Sequence, residues 1–298
     1  MSGDLITVFG GTGFLGRHIV EQLVANGRRV RVASRYAESA RFAFGPDRVE
    51  LFNADIHDLD SVEAAVTGAR TVVNAVSLWV ERSDVTFRSV HVEGAQRVAR
   101  CAAAAHARML VHVSGIGVDA ESSSAFIRAR TLGEQAVTAA FPLAAVLRPS
   151  VMCGPHDAFI SSLELATRFP VVPLFGRGET LLQPAHVEDV AAAAAMLCTG
   201  PDEGPTVYEL GGAQVLTYRQ AVECVMHQLD RSRLLMPMPF NAWKLGAAAL
   251  SLLPSPPLTR DQIELLETDN IVTASTNGFD MLGLKPRRFD EIVSALLG

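Results

Sequence analysis

The chain has 298 residues, 49% hydrophobic and 19% charged, with a net charge of -6. This balance excludes a disordered chain and provides for a sizeable core. No basic tract interleaves with aromatic residues, which argues against nucleic acid as a partner.

The chain enters its first strand, Leu5-Ile6-Thr7-Val8-Phe9, almost at once, so no signal or transit peptide is expected. No apolar run reaches the ~20 residues of a membrane span. Cys101, Cys153, Cys198 and Cys224 are scattered without a CxxC pair, which suits a reducing compartment. The expectation is a cytoplasmic protein, or one peripheral to the inner face of the cytoplasmic membrane.

The first strand stops at Gly10-Gly11-Thr12-Gly13-Phe14-Leu15-Gly16, and a helical pattern begins (Phe14, Leu15, Ile19, Val20, Leu23, Val24). In such a strand-to-helix turn the first glycine permits the turn and the second lets backbone approach a pyrophosphate. The third lets the helix pack on the strand, and the helix N-terminus faces the phosphates. Dinucleotide binding follows from that context.

Further strands are read at Val30–Ala33, Val49–Phe52, Thr71–Asn74, within Arg108–Ser114, and at Ala144–Leu147. Helical stretches separate them at Ser61–Val66, Val85–Ala105 and Ala129–Ala140. Alternating β and α with near-continuous apolar strands predicts an α/β fold, a doubly wound parallel Rossmann sheet, over 1–150. After Pro149 prolines and glycines thicken. Residues 151–298 are read as a smaller, mostly helical region, with a helix over 187–198 returning to the first domain and a binding cleft beside the sheet.

In an NAD site a carboxylate about 20 residues past the glycines accepts from the ribose hydroxyls. Here that position reads Ala33-Ser34-Arg35. A guanidinium suits a 2′-phosphate, Ser34 adds a hydroxyl and Arg17 can help, so NADP(H) is favoured over NAD(H). The plain alternative makes Arg35 a solvated surface residue. Asp55 is placed to meet the adenine amino group. Its alternative role is to cap the next helix, which Asp58 could do instead.

Gly10 to Arg17, Asp55, Asn74-Ala75, Ser114, Leu147-Arg148-Pro149-Ser150-Val151, Gly154-Pro155 and His186-Val187-Glu188-Asp189-Val190 resemble the extended and atypical short-chain dehydrogenase/reductase superfamily. Gln183-Pro184-Ala185-His186-Val187, Tyr208-Glu209-Leu210-Gly211-Gly212 and Pro257-Leu258-Thr259-Arg260-Asp261-Gln262 are similar to one branch. It holds the nucleotide-binding accessory subunit of respiratory complex I and its bacterial relatives. The resemblance implies NADPH held without turnover, and a respiratory-complex or membrane-surface partner. Other atypical relatives are reductases or serve quinone biosynthesis. The expected cofactor contacts are Gly10, Thr12, Gly13, Phe14, Leu15, Gly16, Ser34, Arg35, Asp55, Ile56, Asn74, Ala75, Val76, Ser114, Arg130, Pro149 and Val151.

The superfamily's catalytic centre is a Tyr, a Lys four residues later on the same helix face, and a Ser from the fifth strand. Tyr relays the proton, Lys lowers its pKa and holds the nicotinamide ribose, and Ser orients substrate. The matching positions here are Phe126, Arg130 and Ser114, with the frame fixed by Gly133-Glu134. Phe cannot relay a proton, and Arg can grip ribose but cannot be tuned as a base. Losing a positioned acid–base group costs ~10²–10⁴-fold in rate.

Two readings result. One is an NADP(H)-binding accessory factor of complex I or quinone metabolism without Tyr–Lys catalysis. The other is an NADP-dependent reductase or epimerase acting on a small carbonyl or quinone. Its non-standard proton donor would be Tyr208, Tyr218, His156 or His186. His91 is expected on a helix facing the sheet or the cofactor. His186-Val187-Glu188-Asp189 lacks a second histidine at metal-site spacing, so no metal is expected. Ser114-Gly115 lacks the strand-elbow context of a serine hydrolase. The apolar stretch 240–253, with Trp243 and Lys244 near its start, is read as a buried helix, with docking on a membrane interface or partner helix as the alternative.

Overall fold

The computed structural model describes residues 5–200, 207–250, 259–273 and 277–298. In chain order the elements begin β1 (Leu5–Phe9), α1 (Phe14–Ala25), β2 (Arg29–Ser34), β3 (Val49–Asn53), α2 (Leu59–Val66) and β4 (Thr71–Asn74). They continue α3 (Ala95–Ala104), β5 (Met109–Val113), α4 (Ala125–Ala140), β6 (Ala145–Pro149), β7 (Met152–Cys153), α5 (Ala158–Ala166) and β8 (Val171–Phe175). Then come β9 (Leu181–Leu182), β10 (Ala185–His186), α6 (Val187–Thr199), β11 (Val207–Leu210), β12 (Leu216–Thr217) and α7 (Tyr218–Gln228). The last are β13 (Leu234–Met238), α8 (Phe240–Leu250), α9 (Arg260–Leu265) and α10 (Phe289–Leu297).

Seven strands form one sheet in the order β11-β6-β5-β4-β1-β2-β3, and every pair from β3 to β6 is parallel. The chain builds β2 and β3 on one side of β1, then crosses to build β4, β5 and β6 on the other. That doubly wound order puts the topological switch point between β1 and β4, where ligands bind at the carboxyl ends of the strands. Val8, Val30, Val32, Val72, Val73 and Val111 are fully buried, as strands covered on both faces require. Val62 and Ala65 of α2, Ala95, Val98 and Ala102 of α3 and Val137 of α4 share one core with Phe9, Val72 and Leu110. Helices α1 and α6 pack on each other.

Two compact units result. The first comprises Met1–Pro149, Val187–Glu209 and Ser275–Leu284, and the second Ser150–His186, Leu210–Ala274 and Lys285–Gly298. In the second, helices dominate, but three short strand pairs are added: β7 with β10, β9 with β12, and β8 with β13. Its core gathers Ile160, Leu163, Val172, Leu174, Val222, Val225, Phe289 and Ile292.

One detail revises the sequence reading and a second agrees with it. The stretch read as one helix from Val85 begins as a wide π-type segment, Arg88–Gly94, before α3. Asp58, not Asp55, caps α2, its carboxylate accepting from Ser61 N–H. In the apolar stretch, Trp243 Nε1 donates to Leu174 O at 3.0 Å and its ring stacks on Phe175. Lys244 pairs with Glu267 at 2.8 Å, so both side chains are engaged within their own unit. Residues 251–253 of that stretch, and Pro257-Leu258, lie outside the described residues. Thr259 and Gln262 form a reciprocal capping box on α9.

Candidate active site

The glycine turn has the geometry its spacing predicts. Gly10 sits at φ +73°, and a Cβ there would meet Ala75 O at 2.8 Å. A Cβ on Gly16 would collide with Gly10 O. The turn and the end of β4 are therefore pressed together under a backbone that only glycine allows. Gly13 caps α1 without a side-chain hydrogen bond, and no acidic residue stands in the first turn. The first-turn N–H groups and the positive helix end are thus available to an anion. Thr12 and Phe14 are half-buried, Gly13 is exposed and Leu15 is buried.

Around this turn the strand ends carry the other expected residues. Ala75 N–H donates to Phe9 O at 3.0 Å, joining β4 to β1. Asn74 Oδ1 accepts from Val76 N–H at 3.2 Å, and Asn74 Nδ2 lies 3.3 Å from His112 Nδ1. Asn74 thereby shapes the loop leaving β4. Arg35 is exposed just past β2. Asp55 accepts from His57 N–H at 3.0 Å and lies 2.7 Å from His57 Nδ1. Burial pushes its carboxyl up, but these bonds and the charges of His57 and Arg35 bring it below the usual value. The Ile56 side chain is in the core. Pro149 O accepts from Ile116 N–H. Val151 belongs to the second unit, where its N–H donates to Asn270 Oδ1 at 3.0 Å.

Phe126, the residue expected from the sequence at the proton-relay position, is surrounded by rings. Phe126 is 3% exposed. Trp79 stacks on it at 5.0 Å between centroids, Phe87 meets it edge-on at 5.4 Å, and so does His91 at 5.4 Å. The Arg130 guanidinium lies 4.8 Å from the Phe126 centroid and 5.6 Å from that of Trp79. Its Nη2 reaches Ser77 Oγ at 3.5 Å. A Cβ on Gly115 would strike its Nη1. This cation–π clamp is worth ~0.5–2 kcal/mol. Sequence reasoning missed Trp79, because it stands in an irregular segment with no periodic pattern, and gave Phe87 no role beyond the helical stretch it belongs to.

Burial lowers the Arg130 pKa to about 10 against the pull of Glu134, so it stays charged at neutral pH. Burial, then the charge of Arg130, lowers His91 to about 4, although its bond to Leu78 opposes this. His91 Nε2 lies 3.0 Å from Leu78 O. Burial, then His91 and Arg130, lowers His112 to about 3. Both imidazoles are neutral at pH 7. One turn along α4 from Arg130, Glu134 holds Arg148 of β6 at 2.6 Å, and Glu209 of β11 approaches the same guanidinium at 3.5 Å.

Of the alternative donors, Tyr208 is buried in β11, and burial raises its pKa. Tyr218, His156 and His186 belong to the second unit. There burial raises Tyr218 to about 12, and His186 Nδ1 lies 2.5 Å from Arg287 Nη1. No group of three or more potential ligand side chains able to hold a metal occurs among the described residues.

Three buried polar atoms test whether a dinucleotide fits. Ser34 Oγ, Ser114 Oγ and Arg130 Nε have no hydrogen-bond partner among the described residues. They stand at the ends of β2 and β5 and on α4, in line with the ribose and nicotinamide contacts such a ligand requires. Buried polar atoms without partners are costly, so the cradle and its donor set fit a nicotinamide dinucleotide.

Residues 6–211 match the NAD dependent epimerase/dehydratase family. The chain belongs to that family. It is 32% identical over 306 residues to the NADH dehydrogenase [ubiquinone] 1 alpha subcomplex subunit 9, mitochondrial, of Arabidopsis thaliana, covering 97% of this chain and 76% of the relative. It is 33% identical over 199 residues to the ceramide reductase of Caulobacter vibrioides, covering 66% and 62%. Among solved structures it resembles an NADPH-dependent quinone oxidoreductase of Escherichia coli complexed with NADPH. That match has a TM-score of 0.78 and 20% identity over 98% of this chain and 100% of that one, a likeness of fold. The chain is thus an atypical short-chain dehydrogenase/reductase whose relatives include complex I subunits. No helix among the described residues is long and apolar enough to cross a membrane.

Proposed function

We propose that this chain holds NADP(H) as a resident ligand, as an accessory factor of a respiratory complex I or of quinone metabolism, without Tyr–Lys catalysis. The observation that carries the reading is Phe126, a benzyl ring packed among Trp79, Phe87 and His91 where the proton relay would stand. NADP(H), when bound, supplies hydride-transfer capacity. The residues here bind and orient it but offer no tuned acid. The α1 N-terminus takes the pyrophosphate, Arg35 and Ser34 take the 2′-phosphate side, and Arg130 and Ser114 take the nicotinamide ribose. The Arabidopsis relative, by its name, is a complex I subunit, and that supports a respiratory partner and a location at a membrane-bound assembly.

The test is mass spectrometry of ligand released from the purified full chain, followed by a turnover assay. Stoichiometric NADP(H) that is not oxidised by quinones, ketones or enones is the expected result. Steady NADPH oxidation with any of these overturns the non-catalytic part. It would favour the second reading, a reductase, which the similarity to the Caulobacter ceramide reductase and the retained Ser114 hydroxyl support.

A further inference from the structure

Residues 75–87 leave β4 at the switch point and run to the π-type segment without a helix or an extended strand of their own. An irregular surface segment keeps one path only where it is tied down. This one is tied three times. His91 Nε2 lies 3.0 Å from Leu78 O. Glu81 accepts from Phe87 N–H at 2.7 Å. Arg82 and Val85 exchange backbone hydrogen bonds of 3.0 and 2.9 Å across a turn in which Ser83 takes φ +47°. These ties fix the position of Trp79, the residue after Leu78.

Trp79 is set against the Arg130 side chain. Its ring stacks on Phe126 with 24° between the planes, and the guanidinium lies near both rings. The same segment supplies Ser77 Oγ to Arg130 Nη2, so it touches the guanidinium twice. Phe126 is closed off, whereas Trp79 keeps 51% of its surface open. A single exposed ring needs no explanation. This one borders two buried polar atoms without partners among the described residues. One is Arg130 Nε and the other is Ser114 Oγ, next to Gly115, against which the guanidinium rests. An open aromatic face stacks on flat heterocycles, and contacts that close over a ligand act chiefly on its release.

We propose that Trp79 is the retaining residue of this site, a positioning residue that steadies Arg130 toward the nicotinamide ribose and meets the nicotinamide end of the dinucleotide with its open side, slowing release. The inference rests on the reading of the site as one that holds NADP(H). Two measurements on the full chain test it. In the first, bound NADPH is chased with excess NADP⁺ and its release is followed by fluorescence. Release from Trp79→Ala should be about tenfold faster than from the wild type. Trp79→Phe, which keeps a ring, should stay within about threefold of the wild type. The second measurement is the NADPH emission sensitised by tryptophan excitation. The chain has two tryptophans, so Trp243→Phe leaves Trp79 as the donor and Trp79→Phe leaves Trp243. The sensitised emission should persist in Trp243→Phe and fall about fivefold below it in Trp79→Phe, because transfer falls steeply with distance. Unchanged release from Trp79→Ala, or equal emission from the two phenylalanine variants, overturns the inference and leaves NADPH binding standing. A wild-type chain that binds no NADPH overturns the underlying reading, and this inference with it.

Discussion

A guanidinium that replaces the ammonium of a Tyr–Lys pair alters both halves of the pair. Arg130 remains charged and rests on Phe126 and Trp79 rather than tuning a phenol. Its Nε is a buried donor without a partner among the described residues, so a bound ribose would relieve a cost already present in the free protein. Arg130→Met should therefore leave the melting temperature of the ligand-free chain within a few degrees. It should also cut the rise that NADPH produces; an undiminished rise in thermal shift measurements removes Arg130 from the ribose. At the other end of the ligand, Arg35→Glu should weaken NADPH at least tenfold while NADH changes little, because only the 2′-phosphate meets the new carboxylate. Equal losses in fluorescence titrations would return Arg35 to the solvated surface. Phe126 and Arg130 were legible in the sequence because Gly133-Glu134 fixes the frame. Trp79 was not, since a contact made by an irregular segment leaves no period to read.

Among the elements, the sheet and its glycine turn were readable because strand, turn and helix obey three agreeing local rules. Apolar runs mark buried strands, Gly10 permits positive φ, and Gly16 allows the close helix approach. The π-type segment Arg88–Gly94 was not readable, for its i→i+5 bonding obeys none of the usual periods. The β8–β13 pair was hidden for another reason. Pro173 and Pro237 fall inside the strands and stand opposite each other one residue out of register, with Met236 facing Pro173. Prolines mark such segments as breaks unless a distant partner is known. Helix α4 is anchored to β6 and β11 by the Glu134–Arg148–Glu209 network, which is largely buried. Breaking a buried pair leaves a charge uncompensated, at about 3–5 kcal/mol; Glu209 offsets part of this. Glu134→Leu should lower unfolding free energy by about 3 kcal/mol in urea titrations. A change below about 1 kcal/mol would show that Glu209 alone satisfies Arg148.

For the whole molecule, the buried imidazoles couple folding to pH. His91 and His112 have pKa values of about 4 and about 3 in the fold, against an ordinary 6.5. In both, burial favours the neutral form. Between pH 6.5 and 4 the unfolded chain binds protons at these two sites and the folded chain does not. Stability rises with pH wherever the unfolded state binds more protons. The contribution of the pair is therefore complete above pH 6.5 and is lost as pH falls toward 4 and then 3. Each site adds a slope of about 1.4 kcal/mol per pH unit through the middle of that window. The positive charge of Arg130 adds to the effect at both sites, so the proposed ribose contact and the acid sensitivity share one cluster. The difference between wild type and His91→Asn isolates one of the two sites, because carboxylates titrating in the same window act on both proteins alike. Urea unfolding at pH 7.5, 6, 5 and 4.5 should show the wild-type free energy falling more steeply than that of His91→Asn, by about 1 kcal/mol per unit below pH 6. Parallel curves would mean that His91 is charged in the fold, and that Leu78 O and the rings around it hold an imidazolium.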